Sequence, residues 1–290
     1  MQIPEQAVAA FPKRPTDSHK YSVGVVTVVG GSARYNHAPV IAGLGARVGG
    51  AGLVQLVVPD ASRIAAGSLV PEATFAKLTP ACVPPRADVT AVGMGLGSTP
   101  NAEMLVSRLL SGNAGRFILD ADALTVLANW YAQKPNALPV ADGQTLVLTP
   151  HAGEAARLLA CRSEDIQIDR VAAIRRIVER YHAVVVLKGP RTLVAAPGSD
   201  EVFTCEAGNP FMALGGMGDL LAGVLAARWA YLAKQGVLTD EPSRAFTAAC
   251  AAVWLHATAS DSIVRADPPG DPSIVATAQA IASIRVMMER

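Results

Sequence analysis

Cysteine is nearly absent, and the little there is stands apart: Cys82, Cys161, Cys205 and Cys250 form no CxxC pair. A disulfide framework or a zinc ribbon is therefore excluded, and the four read as isolated reduced thiols of a cytoplasmic protein. Charge is thin as well, at 17% of residues with a net charge of +1. Such a surface offers no basic face for nucleic acid or an anionic membrane, and neither is expected as a partner. Long apolar runs are missing: no stretch reaches the ~18 consecutive residues of a spanning helix. The N-terminus, MQIPEQAVAAFPKRPTDSHK, lacks a basic start followed by an apolar run, so it does not read as a secretory signal. There is no repeat and no low-complexity tract. No GxxxxGK[ST] loop occurs, and GMGLG (93–97) fails the dinucleotide spacing, with Ser98 next.

What is present is a regular alternation in a chain of 290 residues, 51% of them hydrophobic. Short β-branched runs at 25–29, 53–58, 89–92, 116–120, 145–149 and 183–188 predict strands. Helical stretches are expected between them, at 38–48, 101–110, 152–160, 165–182 and 219–234. This pattern implies an α/β fold, a doubly wound and mainly parallel central sheet with helices on both faces, read as a single domain over 1–290. In 165–182, Arg170, Arg175, Arg176 and Arg180 are expected on the solvated face of one helix. The stretch at 244–261 is apolar almost all round and is expected in the core or at a subunit interface, with His256 a satisfied packing residue. Residues 131–144 read as a surface loop.

Nearly every strand candidate ends in a polar or glycine-rich signature: GGS, GMGLG, DADAL, TPHAGE and KGPRT. In open parallel sheets ligands bind beyond the carboxyl ends of the strands, so these signatures converge on one site. The most informative stretch is GNPFMALGGMGDLLAGVLAA (208–227). Glycine costs up to ~1 kcal/mol against alanine inside a helix, so Gly215, Gly216 and Gly218 are expected in the turn that precedes it. There the amides of Gly215, Gly216, Met217 and Gly218 form an anion hole, reinforced by the helix dipole. Asp219 is either a base taking a proton from an attacking hydroxyl or merely the helix cap. Lys188 faces a phosphate or solvent, and Gly189 and Thr192 suit a nucleotide-binding turn. His151 and Glu154 sit at a strand-to-helix junction, as caps or as ligands; Glu154 could meet magnesium through water. Asp122 could be a cap, whereas Asp120 ends a buried strand and needs a partner.

Taken in order, PTDSHK…GAGLV, LDADAL, LTPHAGEAARLL, VVLKGPRT and GNPFMALGGMGDLLAGVL resemble the NAD(P)H-hydrate dehydratases of the ribokinase-like superfamily, from about Lys13 to the C-terminal helices. The resemblance implies a ribokinase-like fold and a cytoplasmic lyase of nicotinamide nucleotide repair. Such enzymes phosphorylate the hydroxyl of hydrated NADH or NADPH with ADP or ATP and Mg2+, then expel the phosphate. It implies that Ala38, Gly95, His151 and Asp219 hold the hydrated dinucleotide. Lys188, Gly189, Pro190, Arg191, Thr192 and Gly218 would hold the nucleotide, with Asp219 as base. It further implies a homo-oligomer, a tetramer by family habit, and no fused epimerase domain, so that the NAD(P)H-hydrate epimerase is a separate protein. The stretch departs from the family at Phe211, His37 and Met94, and at HKYSVG, which lacks a glycine after HK. Two of these add bulk beside the expected pocket. Two other readings therefore stand beside repair: a small-molecule kinase of the same superfamily acting on a vitamin-precursor or sugar-like alcohol, and a catalytically silent nucleotide-binding protein.

Overall fold

The computed structural model describes residues 2–79, 81–82, 84–112, 114–135 and 141–290. Nine strands form one sheet: β1 (Val25–Val29), β2 (Leu53–Val58), β3 (Thr74–Lys77), β4 (Val89–Val92), β5 (Gly115–Leu119), β6 (Gln144–Leu148), β7 (Val184–Leu187), β8 (Leu193–Ala195) and β9 (Val202–Thr204). Their order is β3-β2-β1-β4-β5-β6-β7-β8-β9, parallel from β3 through β7, with β8 and β9 antiparallel at one edge. The six expected strands are present to within a residue or so. β3, β8 and β9 escaped the pattern because each has only three or four residues, and β3 is partly exposed.

The helices are α1 (Glu5–Val8), α2 (Ala38–Gly49), α3 (Asp60–Leu69), α4 (Pro100–Leu110), α5 (Asp122–Gln133), α6 (Ala152–Leu159), α7 (Ser163–Ile168), α8 (Arg170–Tyr181), α9 (Met217–Gln235), α10 (Glu241–Val264) and α11 (Ile274–Met288). They cover both faces. Successive strand residues point to opposite sides, so Ile118 and Val147 join a core with α2, α9, α10 and α11, while Leu119 and Leu148 join one with α4, α5, α6 and α8. The helix expected over 165–182 is two: Asp169 breaks it and caps α8 by accepting from the Ala172 amide at 2.9 Å. The 131–144 loop is shorter than expected, since 131–133 close α5 and 144 opens β6; its residues 136–140 lie outside the described residues.

α10 lies in the core, but His256 within it is not the satisfied residue expected. Its Nε2 is buried without a hydrogen-bond partner among the described residues, and burial pushes its pKa down to about 4. The four cysteines are free, as expected.

α2 and α9 pack so closely that side chains cannot fit between them. A Cβ on Gly223 would stand 1.9 Å from the Ala42 carbonyl oxygen, and one on Gly45 would stand 2.2 Å from that of Leu220. The glycines let the two backbones touch and thereby fix where the N-termini of both helices emerge beside the sheet's carboxyl ends. Gly223→Ala is expected to lower stability by about 3 kcal/mol or more, since the contact is backbone on backbone and cannot relax cheaply. Thermal or urea denaturation of the variant against wild type measures it; an unchanged midpoint would contradict this packing.

Candidate active site

Strand order reverses between β1 and β4, because the chain runs outward to β2 and β3 on one side and to β5, β6 and β7 on the other. That switch point opens a crevice at the carboxyl ends. Its floor is glycine. Gly31 donates its amide to the Met94 carbonyl at 2.9 Å, and a Cβ on Gly30 would lie 2.4 Å from that same oxygen. Gly95, at φ +65°, meets Tyr35 and the Ala38 side chain, so two of the expected dinucleotide contacts lie together at the start of α2. Asp122 does not cap α5; its Oδ2 accepts from the Gly97 amide at 2.7 Å and ties the GMGLG turn to the end of β5. Of the three substituted positions, Met94 is wholly buried in the core, whereas Phe211, 63% exposed, and the exposed His37 lie at the surface before α9 and at the start of α2.

Successive strand ends deliver the charged groups. Asp120 follows β5, Glu154 lies in the first turn of α6 after β6, and Lys188 follows β7. The Lys188 ammonium donates to Asp120 Oδ1 at 2.7 Å and lies 3.8 Å from Glu154 Oε2. It is the partner that Asp120 required, and its side chain stays partly exposed. Burial works against the lysine's charge, but the Asp120, Glu154 and Asp219 carboxylates outweigh it and hold its pKa above the ordinary value.

Asp219 is not the N-cap of α9. The cap is Gly216, in the left-handed region at φ +97°, and no side chain caps this helix. Gly218, expected in the turn, is instead the second residue of α9. A Cβ there would come within 3.3 Å of Lys188 Nζ and 4.0 Å of Asp120 Oδ2, so the glycine makes room for the ion pair under the helix start. At Gly215 a Cβ would meet nothing and φ is not positive, so no contact within the chain calls for glycine there. Within the turn, the Met217 amide donates to the Leu214 carbonyl in a long bond of 3.3 Å. The amides of Gly215, Gly216, Gly218 and Asp219 have no protein acceptor among the described residues. The third residue of the helix, Asp219, is thus a carboxylate beside unpartnered N–H groups. Burial, reinforced by Asp120 and Glu154 and opposed by Lys188, pushes its pKa up to about 7.

His151 caps α6, its Nδ1 accepting from the Gly153 amide at 3.0 Å, while Glu154 Oε2 accepts from the His151 amide at 2.8 Å. The histidine ring is otherwise exposed and its Nε2 lies 3.5 Å from Glu154 Oε1. Among the described residues no three His, Cys, Asp or Glu side chains converge to hold a metal ion. Lys188 already stands between the carboxylates, so direct protein ligation of a divalent cation does not fit, whereas contact through water with Glu154 does.

The KGPRT turn is shaped by Gly189 at φ +142° and Arg191 at φ +54°, with Thr192 Oγ1 donating to the Gly189 carbonyl at 2.9 Å. Arg191 leans outward and pairs with Glu206 at 2.9 Å. Arg170 corrects the expectation of a solvated arginine face. It donates to the Leu187 carbonyl at 3.0 Å and to that of Pro190, clamping the turn from behind. Arg175 and Arg180 also hold carbonyls, those of Asp200 and Leu158, both at 2.9 Å. Sequence patterning missed Arg170 because an arginine on the polar side of an amphipathic helix carries no mark of what it reaches. It also missed Asp261, which accepts from the Gly208 amide at 3.1 Å and from Asn209 Nδ2 at 2.8 Å and so anchors the loop leading into the glycine turn.

Because the pKa of Asp219 is raised, its contribution to stability is fully present below the unfolded carboxylate value and is lost as pH rises through about 7. Asp219→Asn removes a charge that is unfavourable at higher pH. It should raise stability by about 2–4 kcal/mol at pH 8, with the gain vanishing below pH ~4. Denaturant midpoints across pH test it; equal midpoints for both proteins at pH 8 would show Asp219 to be well solvated.

A family model described as NAD(P)H-hydrate dehydratase matches residues 26–279. The chain is 40% identical over 262 residues to the ADP-dependent (S)-NAD(P)H-hydrate dehydratase of Neisseria meningitidis, covering 87% of this chain and 81% of the relative. It is 38% identical over 274 residues to the bifunctional NAD(P)H-hydrate repair enzyme Nnr of Gloeobacter violaceus, covering 89% of this chain but only 49% of that relative. The chain thus spans about half the length of such bifunctional relatives. Its fold superposes on the Bacillus subtilis ADP/ATP-dependent NAD(P)H-hydrate dehydratase co-crystallised with ATP/Mg2+, with a TM-score of 0.81, 25% identity and 100% of each chain covered. With the matched region spanning most of the sequence and all five strand-end signatures gathered at one crevice, the chain belongs to the NAD(P)H-hydrate dehydratase family.

Proposed function

We propose that this chain restores NADH or NADPH from the hydrated forms by nucleotide-dependent dehydration, with Asp219 as the catalytic base. The feature that carries the reading is a half-buried carboxylate, its pKa pushed up to about 7 by burial and by Asp120 and Glu154, set beside helix-start amides with no acceptor among the described residues. A base with that pKa is substantially ionised at neutral pH yet basic enough to accept the proton of a hydroxyl. The substrate hydroxyl, held over Ala38 and Gly95, attacks the terminal phosphorus while its proton passes to Asp219, and the bond from that phosphorus to the bridging oxygen breaks, so that ATP leaves as ADP or ADP as AMP. The amides of Gly215, Gly216 and Gly218 take up the charge on the transferring phosphoryl oxygens. The phosphate then departs with the C–O bonding electrons, pushed by the ring nitrogen's lone pair, and loss of a proton from the adjacent carbon restores the ring double bond.

The Lys188–Thr192 turn holds the nucleotide, with its shape kept by Arg170, and Lys188 limits the repulsion between the phosphates and the three carboxylates. Mg2+ on those phosphates, reached by Glu154 through water, would shield their charge. His151 borders the dinucleotide side with its exposed ring. Arg191, already paired with Glu206, needs to break that exposed pair to reach a phosphate. An epimerase that supplies the reactive epimer and assembly into a homo-oligomer belong to the same reading.

Incubation with hydrated NADH or NADPH, Mg2+ and either ADP or ATP tests it by the return of nicotinamide absorbance. Wild type should regain absorbance, and Asp219→Asn should lose about 10²- to 10⁴-fold in kcat with nucleotide affinity kept. Phosphorylation of another alcohol without regained absorbance would instead favour the kinase reading. The rate should fall below pH about 7 as Asp219 protonates. Asp120→Asn removes a like charge, so its acid limb should move to lower pH; an unmoved limb would assign it to another group.

Arg170→Met should raise KM for the nucleotide about tenfold by loosening the turn, while the acid limb stays in place. A wild-type KM would show the turn to be held without it.

A further inference from the structure

At the amino ends of β1, β2 and β3, on the opposite edge of the sheet from Asp219, lies a cavity of about 410 Å3. Its wall includes Arg14, His19, Lys20, Arg47 and Glu72. We propose that this cavity is a second anion site, taking a small phosphate-bearing metabolite. The volume falls in the range of small-molecule sites, and the site is concave rather than a stripe, which fits a compact anion and not a polymer.

Charge balance makes the case. Behind the wall, Glu289 is shared by three arginines, at 2.7 Å from Arg228, 2.6 Å from Arg285 and 3.2 Å from Arg14. Arg228 is fully buried, yet its Nε and Nη2 have no hydrogen-bond partner among the described residues. A buried guanidinium with unmet donors is costly. Arg14 and Arg228 bracket Gly50, where a Cβ would come within 3.1 Å and 2.5 Å of their Nη2 atoms, so the buried excess lies directly beside the Ala51–Val54 wall. On the open side, Arg47 Nε is paired with Glu72 at 3.1 Å, and both are well exposed. The Lys20 ammonium has no carboxylate partner among the described residues and rests on Tyr21 at 5.1 Å from the ring centre. Around the cavity and its back wall, five cationic side chains meet two carboxylates in a chain whose net charge is only +1. In the concave wall itself Arg14, Lys20 and Arg47 face one carboxylate, Glu72, and that local excess, backed by the buried arginines, is what an anion ligand would offset.

The test is calorimetric titration of the full chain with inorganic pyrophosphate, with turnover on the hydrated dinucleotide measured in parallel. Relative to wild type, Lys20→Ala/Arg47→Ala should weaken one binding event about tenfold or abolish it. Glu72→Gln, which frees Arg47, should tighten that event severalfold. Turnover should stay at the wild-type level in both, because these residues lie far from the crevice; this distinguishes the event from pyrophosphate bound at the glycine turn. Identical isotherms for the three proteins, or no binding to wild type at millimolar pyrophosphate, would overturn the proposal. The gain expected for Glu72→Gln cannot come from misfolding, so a failure of the double variant to fold leaves the test decisive.

Discussion

One lysine holds this site together. Asp120, Glu154 and Asp219 arrive from β5, α6 and α9 at a partly buried point, where burial and the two neighbouring carboxylates push the pKa of Asp219 up. Lys188, from the end of β7, supplies the counter-charge at 2.7 Å from Asp120 and 3.8 Å from Glu154. Its placement divides the acids by role. Asp120, bonded directly to the ammonium and to the Ala121 amide at 2.9 Å, is satisfied and structural. Asp219 receives the lysine's field without its hydrogen bond, and that partial compensation leaves its pKa near neutrality. A tighter pairing would lower the pKa and weaken the base; a missing one would keep the acid protonated.

The glycines of the 215–223 segment serve three distinct physical ends. Gly216 takes a left-handed conformation that side chains avoid. Gly218 yields its side-chain space to Lys188, and Gly223 to the backbone of α2. The last two are linked. Because α2 and α9 touch main chain to main chain, the start of α9 cannot slide along the sheet, and its free amides stay over the strand ends that carry the charges.

Much of this was legible in the sequence. Parallel strands buried on both faces read as unbroken β-branched runs, so β1, β2 and β4 to β7 were found, and the signatures after them located the crevice. Asp120's need for a partner was legible too, because a charge ending a buried strand cannot be left alone. Which lysine answered it was not, since β5 and β7 are adjacent only through β6 and the sequence carries no sheet order. Gly218 was misplaced because helix propensity counts a glycine's cost and not the neighbour that requires it. Arg170 was read as solvated for a similar reason: the pattern records which side of a helix a residue occupies, not the carbonyls within its reach.

The raised pKa of Asp219 suits the reaction proposed because that reaction has two halves. In phosphoryl transfer the group must accept a proton, which favours a high pKa; at neutral pH it must also be ionised beforehand, which favours a low one. A value near 7 is the compromise between them. Burial opposes the charge of such a carboxylate, and the nearby amides have no acceptor among the described residues. An arriving phosphoryl group satisfies the amides, and the substrate hydroxyl gives the carboxylate a donor. Ligand binding therefore relieves part of the cost of keeping a carboxylate charged where burial opposes it, which is how the fold retains a base of near-neutral pKa.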